Sequence, residues 1–326
     1  GDFEAQPGDN GAAWPSGPDA PSWSPDQPES ARPLTPKRCN PLVILQSSCN
    51  GQGNMFSLWR CRDVGFSLAP RRNARHDGGM GTDIRQHAEI KRRVAALGDC
   101  HLRWRPLMIG SERFDVAACS GADLLLDALI AADPAHPAVR DERLPYWTEI
   151  WPASVVVAGA ALEAGGALAG KAVLDLGCGL GVAGMAAGRA GARVCLCDYD
   201  PQAVRFAALN WVANVDAEPR AVVMDWRAPV FEAAFDLILA ADIVYEKRFF
   251  DPIIRAFDRL LKPGGRVWLG EPDRHFSRGF FAALERAGYG FSRTVRRVDF
   301  PNPEKPTDVS LYTISKKIAC GSAMGV

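Results

Sequence analysis

Four aspartates, Asp175, Asp198, Asp225 and Asp242, each stand at the end of a short apolar run, and a glycine series follows the first in VLDLGCGLGVAG. Glycines between a strand and a helix let backbone pass close to a ligand, and Gly177, Gly179 and Gly181 sit at that point. Asp198, in VCLCDYDP, can accept hydrogen bonds from two neighbouring ribose hydroxyls. Asp225, in VVMDW, can accept from a purine amino group while Trp226 lies against the ring. Each residue also has a plainer reading: Asp200 can cap the helix that starts at Pro201, and Trp226 can be core.

Gly179, Gly181 and Gly184 also spell the G-x-G-x-x-G pattern of dinucleotide sites. Asp175 separates the two possibilities, because a carboxylate two residues before the first glycine would repel a pyrophosphate at close range. A ligand with an ammonium and a sulfonium and no phosphate is favoured there. That chemistry is S-adenosylmethionine, and an NAD-dependent oxidoreductase is the disfavoured alternative.

Upstream, PYWTEIWP sets Trp147 and Trp151 on either side of Glu149. Read as an extended segment before Pro152, it places residues 147, 149 and 151 on one face. Both indoles then line one wall of a site and attract a sulfonium or a methylated ammonium through their faces. Glu149 could hold the amine of cofactor or substrate; the competing reading buries both tryptophans in the core. Methyl transfer to an amine is an in-line displacement that needs a positioned, unprotonated nucleophile and no metal. Asp242 and Tyr245, spaced Asp-x-x-Tyr, are the candidates to orient that amine or relay its proton. Cys195 and Cys197 have no second Cys or His pair nearby and read as core thiols rather than zinc ligands.

LDLGCGLGVAG, CDYD, MDW and ADIVYE together resemble the class I, seven-stranded S-adenosylmethionine-dependent methyltransferases. With PYWTEIWP, they are similar to the family-16 protein-lysine methyltransferases, which include those acting on electron transfer flavoprotein beta subunit and their bacterial relatives. The resemblance covers about residues 140 to 316. It implies a lysine side chain of a protein as methyl acceptor; a small-molecule N-methyltransferase is the alternative within the same chemistry.

The elements that must position these residues follow from periodicity. From Lys171 onward, strands are expected at 171–176, 193–198, 220–224, 235–240, 265–270, 290–298 and 308–315. Helices are expected near 182–190, 201–213, 249–261 and 276–287, after one over ASVVVAGAALEAG. This alternation predicts an α/β, Rossmann-like, mostly parallel seven-stranded sheet covered on both faces, with ligands at the strands' carboxyl ends. A small extension over 80–140 should hold a helix, a hairpin and an apolar helix near 121–132, with the methyltransferase domain at 141–316 and a tail at 317–326. Residues 1–79, rich in Pro, Gly, Ser and Asp, lack either periodicity and are expected to be a disordered or non-native tail without a part in folding or cofactor binding.

Lys plus Arg and Asp plus Glu both total 38, so no net field draws the chain to nucleic acid or an anionic membrane. Nine cysteines in 326 residues do not form a secreted disulfide framework, and the first residues lack a signal-peptide pattern. A reducing, cytoplasmic location is expected.

Overall fold

The computed structural model describes residues 42–43, 80–97, 102–120 and 145–317, with isolated positions between 127 and 139. Strand β1 (Leu42–Val43) and helix α1 (Met80–Ala95) precede a two-stranded hairpin, β2 (Leu102–Ile109) and β3 (Glu112–Cys119). After the turn Tyr146–Thr148 come α2 (Pro152–Ala164), β4 (Ala172–Leu176), α3 (Val182–Arg189), β5 (Arg193–Asp198), α4 (Pro201–Asn214) and β6 (Ala221–Val223). The chain continues through β7 (Phe235–Ala241), α5 (Phe250–Leu260), β8 (Leu261–Glu271), α6 (Ser277–Arg286), β9 (Tyr289–Val298) and β10 (Thr307–Lys316).

One sheet runs in the order β1-β6-β5-β4-β7-β8-β10-β9, parallel except where β10 inserts antiparallel between β8 and β9. Without the two-residue edge strand β1, this is the expected seven-stranded sheet. β1 itself pairs Leu42 and Val43 with Ala221 and Val222, inside the segment expected to take no part in the fold. The rest of that expectation, and most of the helix expected near 121–132, lie outside the described residues. Every residue of β4 is buried, as in a parallel strand covered on both faces. The strand order reverses between β4 and β7, so the loops after β4, β5 and β7 open onto one crevice.

Two apolar clusters fill the two faces. α2, α3, α4 and the hairpin contribute to one, including Phe114, Val157, Met185 and Phe206; α5 and α6 supply Phe257, Phe280 and Leu284 to the other. Cys195 and Cys197 are buried members of the second cluster. Asn210, wholly buried on α4, binds the hairpin: its Oδ1 accepts from Ala117 N at 2.7 Å while its Nδ2 donates to the carbonyls of Ala117 and Leu180. The hairpin is thereby tied through one side chain to the glycine loop.

β8 begins at Leu261, four residues earlier than the expected strand, because Leu261 turns extended as soon as α5 ends and pairs with Phe235 ahead of a register shift. Among the described residues no helix is long and apolar enough to cross a membrane.

α2 crosses the sheet at Gly270 in near contact: a Cβ there would lie 2.8 Å from Ala153 O and 2.9 Å from Val157 Cγ2. That approach sets the start of α2 over the strand tips. Gly270→Ala is therefore expected to destabilise the fold by about 1–3 kcal/mol, since backbone must shift to admit the methyl group. Urea unfolding against the parent chain measures this, and an unchanged midpoint would show that the helix yields freely.

Candidate active site

The loop after β4 turns into α3 through Gly177 (φ +68°), Gly179 (φ +50°) and Gly181 (φ +81°), a left-handed path that other residues adopt only under strain. At Gly177 space is short as well, since a Cβ would stand 2.9 Å from Ile243 Cγ2. Two buried carboxylates hold this path. Asp175 accepts from Gly184 N at 2.8 Å, and Asp198 accepts from Gly179 N at 2.9 Å and Asp200 N at 3.1 Å. Cys178 N donates to Cys197 O at 2.8 Å, which ties the loop to the end of β5.

Burial pushes the Asp175 carboxyl up to about 7, against the pull of the Gly184 N–H. Burial also pushes Asp198 up to about 7, with the Asp200 and Gly179 N–H groups opposing. Asp200 is raised too, chiefly by burial. Asp198 lines the cavity at the strand tips, but Asp175 does not. The expectation that Asp175 faces a ligand is corrected accordingly: its carboxylate sits behind the loop and fastens the start of α3.

PYWTEIWP differs from the extended segment expected. Tyr146–Thr148 form one 3-10 turn, and the chain becomes extended at Glu149 and Trp151 before Pro152 opens α2. The turn swings the aromatic rings apart. Trp147, 7% exposed, packs against Phe206 with centroids 5.4 Å apart and donates from Nε1 to Asp200 Oδ2 at 2.8 Å. Its backbone lies 3.6 Å from where a Cβ on Gly179 would stand, so it walls the glycine loop with main chain more than with its ring. Asp200 does cap α4, accepting from Gln202 N, and holds Trp147 with its second oxygen. Trp151 donates from Nε1 to Tyr146 O at 2.9 Å, and Glu149 is exposed at the rim, 4.0 Å from Arg105.

Tyr146, which the sequence reading passed over, joins Trp147 and Trp151 in lining the cavity. Its ring meets Trp151 and Tyr245 edge-on, at 6.1 and 5.8 Å.

Asp242 adopts a left-handed φ of +58°, and Arg274 grips its carboxylate with both terminal guanidinium nitrogens. Both oxygens are thus engaged, which suits a positioning group better than a mobile base. Arg274 is in turn set by its own N–H to buried Glu271, and the preceding Asp273 accepts from Ser310 Oγ and Tyr312 OH and pairs with Arg293. The neighbouring His275 is exposed, and Arg274, three residues past the end of β8, is a site residue that the sequence reading did not single out.

Asp225 pairs with Arg227 at 2.7 Å and does not line the cavity, whereas Trp226 does. Trp226 is 7% exposed, and its indole N–H has no hydrogen-bond partner, which leaves a buried donor open to a ligand acceptor. The described residues lining the cavity include three acids, Glu149, Asp198 and Asp242, and no Lys, Arg or His. An acid-lined, aromatic crevice with a glycine cradle fits a cationic cofactor and opposes a pyrophosphate. Among the described residues no cluster could hold a metal ion.

Residues 145–287 match the protein family described as lysine methyltransferase. The chain is similar to the ubiquinone biosynthesis O-methyltransferase of Xanthomonas oryzae pv. oryzae (strain PXO99A), with 34% identity over 33% of this chain and 45% of that one. That of Pseudomonas aeruginosa (strain UCBPP-PA14) is 31% identical over 36% of this chain and 51% of its own. The chain thus spans about half the length of these curated relatives. Among solved structures, a ribosomal protein L11 methylase from Lactobacillus delbrueckii subsp. bulgaricus superposes with a TM-score of 0.42 and 23% identity, over 51% of this chain and 79% of that one.

A carboxyl whose folded value is raised favours the protonated form, so its stabilisation is complete below about pH 4 and lost as pH rises through about 7. The ligand-free protein is expected to lose stability between about pH 4 and 7, by on the order of 4 kcal/mol per carboxyl at most. Asp198→Asn should remove part of that slope. Urea unfolding at four pH values across the range tests it, and a flat profile in the parent chain would count against the burial argument.

Proposed function

We propose that residues 145–287 form a class I S-adenosylmethionine-dependent methyltransferase domain that transfers the methyl group to a lysine side chain of a protein. The observation that carries this reading is the cavity wall: acids and aromatic rings without a single basic side chain among its described residues. Such a wall favours a cationic donor beside an amine and disfavours polyanionic acceptors. S-adenosylmethionine supplies an electrophilic methyl group on a sulfonium.

The chain's own residues do the rest. Asp198 would accept from the ribose hydroxyls, and the unpaired N–H and ring of Trp226 would meet the adenine. The Gly177–Gly181 backbone would pass under the donor's amino acid end. Asp242, held in place by Arg274, would orient the incoming amine with Tyr245 at its side. A positive donor next to that amine disfavours its ammonium form, which helps the nucleophile lose its proton to water. The open mouth, where Tyr146 is 45% exposed, suits a side chain presented from a protein surface. The printed names of the curated relatives favour a second reading, a small-molecule acceptor.

Incubation with tritiated donor and a cell extract separates the two. Label on a protein band, recovered as methyllysine after hydrolysis, is the expected outcome; label confined to the low-mass fraction would replace the lysine reading with the small-molecule one. Asp242→Ala is expected to keep donor affinity while lowering single-turnover methyl transfer by on the order of 10². Loss of donor binding with a normal saturated rate would move Asp242 to the cofactor side.

Donor affinity should also depend on pH. A carboxylate that accepts ribose hydroxyls binds as the ion, so S-adenosylhomocysteine is expected to bind about tenfold tighter at pH 8 than at pH 6. Asp198→Asn should flatten that dependence in calorimetry.

A further inference from the structure

Three aromatic rings stand at the cavity mouth as the faces of a corner. Tyr146 meets Trp151 at 74° and Tyr245 at 68°, and Phe249 backs Tyr245 at 69° from behind. Near-perpendicular rings at about 6 Å meet edge to face rather than stack, so part of each π surface stays clear of its neighbour. Tyr146 is the most exposed of the large apolar groups lining this cavity, and the Trp151 N–H is spent on the Tyr146 carbonyl, so the indole's face is what remains for a ligand. Asp242 and Glu149 line the same cavity, the first neutralised in part by Arg274 and the second loosely faced by Arg105.

We infer that the Tyr146–Trp151–Tyr245 corner is a binding site for a methylated ammonium, which it prefers over an unmodified one. The inference rests on the lysine reading for its meaning but not for its chemistry. An unmodified ammonium is compact, strongly hydrated and needs hydrogen-bond acceptors, which ring faces supply poorly. Each added methyl group lowers that hydration and spreads the charge over a surface that aromatic faces attract.

A lysine that has received one methyl group is then held at the mouth, and successive transfers follow. Each transfer forms an N–C bond as the S–C bond breaks, with sulfur keeping the electron pair. The first two products shed a proton to water, and the third is a quaternary nitrogen with none to lose.

The test uses the full chain saturated with S-adenosylhomocysteine. Calorimetry compares Nα-acetyl-trimethyllysine methylamide with Nα-acetyl-lysine methylamide, whose weaker binding the inference requires, and with the neutral isostere in which a tert-butyl group replaces trimethylammonium. The trimethylated cation is expected to bind about tenfold tighter than either, with the preference lost in Tyr146→Leu and retained in Tyr146→Phe. Unchanged S-adenosylhomocysteine affinity in both variants shows that the site is still folded. Equal affinity for the trimethylated probe and either of the others, no measurable binding of any, or a preference that survives Tyr146→Leu would each overturn the inference. A preference for the trimethylated cation without any labelled protein in extract would remove the lysine reading and leave this site standing. Labelled protein carrying monomethyllysine alone, without the preference, would remove this site and leave the lysine reading.

Discussion

Two buried carboxylates holding a left-handed loop are the constraint on which the site depends. Gly177, Gly179 and Gly181 give the backbone its path, but such a path is only one of many that glycine allows. Asp198 selects it by accepting from Gly179 N, and Asp175 fixes its exit by accepting from Gly184 N at the start of α3. The cost is visible in both acids, which burial pushes up to about 7. Carboxylates kept dry and close together are a poor arrangement for stability alone and a useful one for meeting a positively charged ligand.

The same charge logic extends across the cavity. Acids line it, while arginines stand one step back from two of them: Arg274 behind Asp242 and Arg105 outside Glu149. Arg274 holds the Asp242 carboxylate in position without lining the cavity itself, while backbone N–H groups hold Asp198. Asp242 illustrates the result, since it keeps a strained backbone angle and a fully engaged carboxylate at the point where an acceptor would enter.

The outer parts of the fold serve that crevice through single contacts. Asn210 joins the hairpin to the glycine loop, Asp200 joins the entry turn to α4 through Trp147, and the bare Gly270 lets α2 settle onto the strand tips. Each contact is buried or part-buried, and each bridges segments far apart in the chain.

Strand and helix positions were legible because they rest on local periodicity, on glycine between a strand and a helix, and on Pro at a helix start. The parallel sheet followed from their alternation, and the tip positions of Asp198, Trp226 and Asp242 from strand ends that can be counted along the chain. Partners could not be counted that way. Asp175 turned behind its loop and Asp225 turned to Arg227 because a carboxylate goes to the N–H or cation that packing brings nearest. In PYWTEIWP a single 3-10 turn in place of extended chain sent Trp147 inward to Asp200 and put Tyr146 at the mouth. One residue of rotation exchanges the faces of a short segment, and that choice was made by Phe206 and Asp200, some fifty residues further along, which the tertiary structure alone sets beside it.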